Sequence, residues 1–207
     1  MEASIFLSGE GPNELGSRYS DPADGTVPGV LEVLLRQVRP TGWKTRGAMA
    51  WKAIRKYRAG AGRLGAHHDR HNVQGLVAHA YAEHAEVLAF MRDLDGDPDR
   101  AAAIDDGLAE IRGLFEAEYR YALAIIAGTP APCLEGWILA MCGVRGTDAM
   151  SRAKVMDALT ERGLELKRLA AYLPVVEAGD LDRVEAPTMV EFLATAREVL
   201  ADVIDGT

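Results

Sequence analysis

The chain has 207 residues, 48% of them hydrophobic and 26% charged, with a formal net charge of −8. That length allows one full core with a helical appendage but hardly two independent domains, and the composition lies outside the disordered range. An acidic balance argues against a nucleic-acid partner, because phosphate attraction dominates such binding.

The average hides an asymmetry. Between Arg36 and His68 stand nine basic residues (Arg36, Arg39, Lys44, Arg46, Lys52, Arg55, Lys56, Arg58 and Arg63) and no Asp or Glu. No run reaches the roughly 18 apolar residues of a membrane helix, and no basic start precedes an apolar signal-like core, so the expectation is a cytoplasmic protein with no membrane partner. Cys133 and Cys142 lack a CxxC spacing and read as reduced core thiols.

In chain order, residues 3–8 (ASIFLS) form a short buried strand that stops at Gly9, Gly11 and Pro12. A punctuated loop leads to the helix PGVLEVLLRQV, with Pro28 as its first residue and Pro40 and Gly42 ending it. The basic stretch WKTRGAMAWKAIRKY reads either as a strand into a turn or as a poorly amphipathic helix; a strand near 44–49 followed by a loop is preferred. NVQGLVAHAYAEHA is helical, with Val73, Leu76, Val77 and Tyr81 on one face. Val87 to Met91 is a buried parallel strand ending in Asp93, Asp95 and Asp97. Residues 99–115 form an amphipathic helix with Ala103, Leu108, Ile111 and Leu114 inward, then YALAIIAG a strand and CLEGWILAMCG a helix. From about Thr147 the pattern is helical only. The alternation predicts an α/β fold, a mostly parallel central sheet flanked by helices, with a C-terminal helical extension over 146–207 that packs on the domain or a partner.

Ligands of open parallel sheets bind beyond the carboxyl ends of the strands. Three such ends carry acids: Glu10 and Glu14 after the first strand, Asp93 and Asp95 after the third, and Glu135 after the fourth. Gathered carboxylates repel and raise one another's pKa, and a hard divalent cation neutralises them most simply. Asp-x-Asp suits this because alternate residues of an extended chain point to one side. Two ions roughly 4 Å apart would serve a phosphodiester displacement. Taken singly each acid has a plainer reading: Asp97 as a helix N-cap, Glu10 and Glu14 as loop acids near a helix start. An EF-hand is excluded, since Pro98 and Ile104 stand where its glycine and glutamate belong.

The blocks GEGPNE, RDLDGD and APCLEGWIL, in this order, resemble those of TOPRIM domains, more specifically of OLD-like and defence-island TOPRIM nucleases. The resemblance covers about residues 1–145 and implies a TOPRIM-like (Rossmann-like) catalytic domain. It places Glu10, Glu14, Asp93, Asp95 and Glu135 on acidic catalytic and metal positions for Mg²⁺ or Mn²⁺, with Asp97 as a further metal ligand. Those families also use a lysine to stabilise charge on the scissile phosphate; Lys154 is the candidate and Lys167 the second. OLD proteins carry an ATPase domain ahead of the TOPRIM domain, and here the TOPRIM-like strand opens the chain. The resemblance therefore implies a metal-dependent endonuclease of phage defence working with an ATPase or sensor subunit, with homo-oligomer formation a further expectation. The other reading is a non-catalytic metal- or nucleotide-binding module.

The basic segment supplies affinity for a phosphate backbone, DNA ahead of RNA, through Arg46, Lys52, Arg55, Lys56 and Arg58. Trp43, Trp51 and Tyr57 either stack on unpaired bases or fill the core. His67, His68, His71, His79 and His84 lie close in sequence; HHDRH can offer zinc ligands through His67 and His71, a general base, or simply a polar loop with Asp69 or Asn72 capping a helix.

Overall fold

The computed structural model describes residues 2–55, 67–119, 121–165, 170 and 184–206. Four strands, β1 (Ala3–Gly9), β2 (Trp43–Ala50), β3 (Val87–Met91) and β4 (Ala124–Gly128), form one sheet in the order β2-β1-β3-β4, and every neighbouring pair is parallel. Helices cover both faces, as the α/β expectation required. They are α1 (Pro12–Leu15), α2 (Val30–Val38), α3 (His68–Ala82), α4 (Arg100–Tyr119), α5 (Leu134–Met141), α6 (Arg152–Glu161) and α7 (Pro187–Asp205).

The continuous apolar runs of the central strands follow from burial on both faces, with successive side chains alternating between them. Ile5, Leu7, Ala89, Met91 and Ile126 meet Leu31 and Leu35 of α2, Trp137 of α5 and Phe192 of α7. Phe6, Leu88, Phe90 and Ile125 meet Val73, Leu76 and Tyr81 of α3 and Ile104, Ile111 and Phe115 of α4. The C-terminal α7 shares a core with β1, burying Met189, Phe192, Leu193, Ala196 and Leu200. Full burial of one such side chain stabilises by about 1.5–3 kcal/mol.

β2 is an edge strand with Lys44 and Arg46 exposed, and a bulge at Arg46 shifts the register from Ile5↔Thr45 to Phe6↔Gly47. Three local expectations are corrected. Helix α2 begins at Val30, not Pro28, because Gly29 serves as N-cap with its main chain pressed against Glu14; a Cβ there would lie 2.1 Å from the Glu14 carbonyl oxygen. Helix α3 begins at His68, four residues before Asn72, where the helical stretch NVQGLVAHAYAEHA starts. Leu114 is 52% exposed, because the inward stripe of α4 runs through Ile104, Leu108, Ile111 and Phe115, at i, i+4, i+7 and i+11.

Candidate functional site

The chain passes from β1 to one side of the sheet and from β3 to β4 on the other, so the connections diverge between β1 and β3. Beyond the carboxyl ends of strands at such a point lies the crevice where open α/β sheets bind ligands. Glu10 follows β1 directly and Asp93 follows β3 by two residues. Glu10 Oε1 accepts the Asp93 main-chain N–H at 2.9 Å, and Asp93 Oδ1 accepts the N–H of Leu134, at the start of α5, at 2.9 Å. Glu135 is the next residue of that first turn. Glu14 turns back to accept the Gly11 N–H at 2.8 Å, as in a capping box. Main-chain bonds fasten the loops further: Leu94 N–H to the Pro130 carbonyl at 3.0 Å and Asp95 N–H to the Pro132 carbonyl at 2.8 Å.

Four carboxylates from three loops therefore share one mouth, and three of them, Glu14, Asp93 and Glu135, are buried. Burial, then the charges of Glu10, Glu135 and Glu14, push the Asp93 carboxyl up to about 8. Glu14 is raised too, chiefly by burial, although main-chain N–H groups hold it back. The Cys133 thiol beside Glu135 rises to about 12 through burial, the nearby Glu135 charge and its hydrogen bond to Glu135. Glu135 Oε2 is buried and finds no hydrogen-bond partner. A buried carboxylate oxygen without a donor costs free energy unless a cation supplies the missing charge.

Asp95 and Asp97 are engaged by arginines and by His67. Asp95 adopts φ +51°, so the chain is no longer extended where a shared-ion Asp-x-Asp was expected. Its carboxylate takes Arg100 at 3.1 Å and pairs with Arg152, whose guanidinium also reaches within 3.9 Å of Asp93 Oδ2. Asp97 accepts from His67 Nε2 at 2.9 Å, and this bond holds its carboxyl below the usual range. Lys154 is exposed, caps through its main chain onto Ser151, and has no side-chain partner among the described residues. Arg152, two residues earlier, reaches the mouth beside Asp93 and Asp95. Lys167, Lys56, Tyr57 and Arg58 lie outside the described residues.

A second hub adjoins the first. Asp69, in the first turn of α3, is completely buried. It accepts from Trp51 Nε1 at 3.1 Å and Arg92 Nε at 3.3 Å, and lies 2.9 Å from Arg100 Nε. The Arg100 N–H is not aimed at it well enough to count as a hydrogen bond. Arg92 also pairs with Glu10, so the HHDRH segment is tied to the acidic mouth through one buried carboxylate. His67 supplies the α3 cap by accepting the Asp69 N–H at 3.2 Å, while His71 lies 3.4 Å from Gln74. The two histidines thus point to different partners. The sequence offered Asp69 or Asn72 only as a helix cap, a place that His67 takes, and pointed to none of these arginines.

Trp43 and Trp51 are buried, with their N–H groups donating to the Arg39 carbonyl and to Asp69, so they are core residues and not base-stacking platforms. Arg46, Lys52 and Arg55 are exposed along β2 and just past its carboxyl end; Lys52 lies 4.8 Å above the Tyr19 ring.

The all-oxygen donors Glu10, Glu14, Asp93 and Glu135 suit a hard cation such as Mg²⁺ or Mn²⁺, and the unpartnered Glu135 oxygen marks where charge is missing. As the side chains stand, no three His, Cys, Asp or Glu among the described residues form a ready cage. Arg92 and Arg152 provide the positive charge at the rim instead. Among the described residues no helix is long and apolar enough to cross a membrane. Neither a protein-family model, nor a curated protein, nor a solved structure matches the chain.

Proposed function

We propose that the chain is a divalent-metal-dependent phosphodiesterase of TOPRIM type that hydrolyses nucleic acid, DNA ahead of RNA, as the effector of a defence assembly with a partner subunit. One observation carries this reading: buried carboxylates from three strand ends converge at the point where the sheet connections diverge, with one oxygen left unpartnered. Glu10, Glu14, Asp93 and Glu135 would hold Mg²⁺ or Mn²⁺. When bound, the ion would activate water and neutralise charge on the phosphate. Arg152, already at the mouth, would turn from Asp95 to the phosphate oxygens, for which its planar fork is suited. Arg100 and Arg92 hold the loops in register, and Arg46, Lys52 and Arg55 offer a salt-sensitive track for the backbone of the polymer.

A specific observation favours the alternative, a non-catalytic metal- or nucleotide-binding module: the acids at the rim already have arginine partners. Incubation with single- and double-stranded DNA and RNA in Mn²⁺ and Mg²⁺ separates the two. Cleavage abolished by Asp93→Asn and by Glu10→Gln supports hydrolysis. Metal binding without cleavage of any substrate, partner included, would establish the module.

A further inference from the structure

Among the described residues β4 is at the edge of the sheet, paired only with β3. The Ala124 N–H donates to the Glu86 carbonyl, and the Gly128 carbonyl accepts from Arg92 N, so even-numbered residues of β4 turn their main-chain groups toward β3. By the alternation of a parallel ladder, Ile125 and Ala127 turn theirs outward. Those two residues and Thr129 form the floor of a cleft of about 300 Å³, with α4 walling it on one face of the sheet and α7 on the other. Native edges of this kind are commonly covered, because a row of unpaired donors and acceptors is a template for another strand.

The walls choose among occupants. Asp105 of α4 and Glu191 of α7 both line the cleft, and neither has an ion-pair partner among the described residues. Arg112 is the one cation lining it among the described residues. Leu108 adds half-buried apolar surface between them, over the buried side chains of Ile104 and Phe192. The described lining therefore holds two acids to one cation, and a second copy of this chain, pairing edge to edge, would set one such acidic excess against another. A strand that alternates small apolar with basic residues would instead satisfy the floor with its main chain and the walls with its charge.

We propose that the β4 edge is a docking groove for an extended, basic segment of about five residues from a partner protein, added to the sheet as a fifth strand. The groove ends where the site begins. Thr129 leads into the 130–132 loop, whose carbonyls hold the Leu94 and Asp95 N–H groups. A strand clamped along β4 would therefore steady the loops carrying Asp93 and Glu135, whatever chemistry they perform.

The test is fluorescence anisotropy of the full chain with labelled Lys-Val-Arg-Val-Lys, beside Glu-Val-Asp-Val-Glu and a Lys-Val-Pro-Val-Lys control. Ala127→Pro removes one outward N–H without breaking a ladder bond to β3, and proline is tolerated at such edge positions. Its melting curve checks that it folds, and Glu191→Arg tests the wall independently of the main chain. Saturable binding of the basic peptide alone is expected, weakened about tenfold by Ala127→Pro, as one main-chain bond is worth. Glu191→Arg should shift preference toward the acidic peptide. Amide exchange at Ile125 and Ala127 should slow on binding. Equal binding of all three peptides, no binding at all, or binding untouched by both variants overturns the proposal. So does a concentration-dependent dimer lost in Ala127→Pro, which would assign the edge to a second copy.

Discussion

Asp93→Asn should make the metal-free protein more stable, and increasingly so as pH rises. The Asp93 carboxyl, ordinarily near 3.8, stands at about 8 in the fold, so between those values the folded chain keeps a proton that the unfolded chain releases. Folding then takes up a proton, and stability falls with rising pH by up to about 1.4 kcal/mol per unit. Below about pH 4 both states are protonated and the penalty is absent; above about pH 8 it is complete. Four units set a ceiling of about 5–6 kcal/mol. The Glu10 side chain is 28% exposed and Arg152 faces Asp93, so water and a cation soften the repulsion, and about 2–4 kcal/mol is the expected effect. For a chain of this length that is about 5–15 °C in melting temperature. Asparagine keeps the Oδ1 that accepts the Leu134 N–H and offers a donor to the facing glutamates. Calorimetry in EDTA at pH 4.5, 6 and 8 should show parity at the lowest pH and a gain for the variant at the highest. Glu14, also raised, should leave a smaller slope of the same sign. Mn²⁺ should stabilise the wild type at pH 8 more than the variant. A wild-type melting temperature that is flat across this range, or a variant destabilised at pH 8, would refute the argument.

Asp69→Asn should cost about 3–5 kcal/mol, because it strips the buried charge from Arg92 and Arg100; urea denaturation should show a lower midpoint with an unchanged slope. Gly29→Ala should cost about 2–4 kcal/mol in the same assay, since its Cβ would fall 2.1 Å from Glu14 O and 2.5 Å from Gly16 N, both main-chain atoms unable to yield singly. In the native protein at pH 8 a disulfide reagent should modify Cys142 first, leaving Cys133, fully buried and raised to about 12, untouched until denaturation; rapid reaction of two thiols would contradict its placement. If the chain cleaves nucleic acid, Arg152→Ala should lower turnover about 100-fold while Lys154→Ala leaves it within about twofold, measured at saturating Mn²⁺.

The strands were legible because double-sided burial writes itself as unbroken apolar runs: VLAFM is buried at every position. The acids at three strand ends were legible for a related reason, since a carboxylate just past such a run is unusual and a parallel sheet brings those ends together. Helix boundaries were less so. Nothing in PGVLEVL says that Gly29 must press against Glu14, a contact that postpones α2 by two residues and leaves Pro28 outside. Which cation faces the acids was hidden for the same cause. Lys154 and Arg152 differ by two positions on one helix, roughly 200° of rotation, and only packing of that helix decides which faces the acids. Asp69 was hidden most deeply, because its partners come from residues 51, 92 and 100, and no local pattern marks one acid in HHDRH as buried.

The stitching of the loops after β3 and β4 by main-chain bonds has a further consequence. The Leu94 and Asp95 N–H groups grip carbonyls of the 130–132 loop, and these contacts are indifferent to which side chains the loops display. Position and chemistry are thereby separated: acids can be exchanged for amides while the frame that presents them stays put. Amide variants of this mouth keep the oxygens that accept the Asp93, Leu134 and Gly11 N–H groups, so they would report on lost charge and not on lost shape.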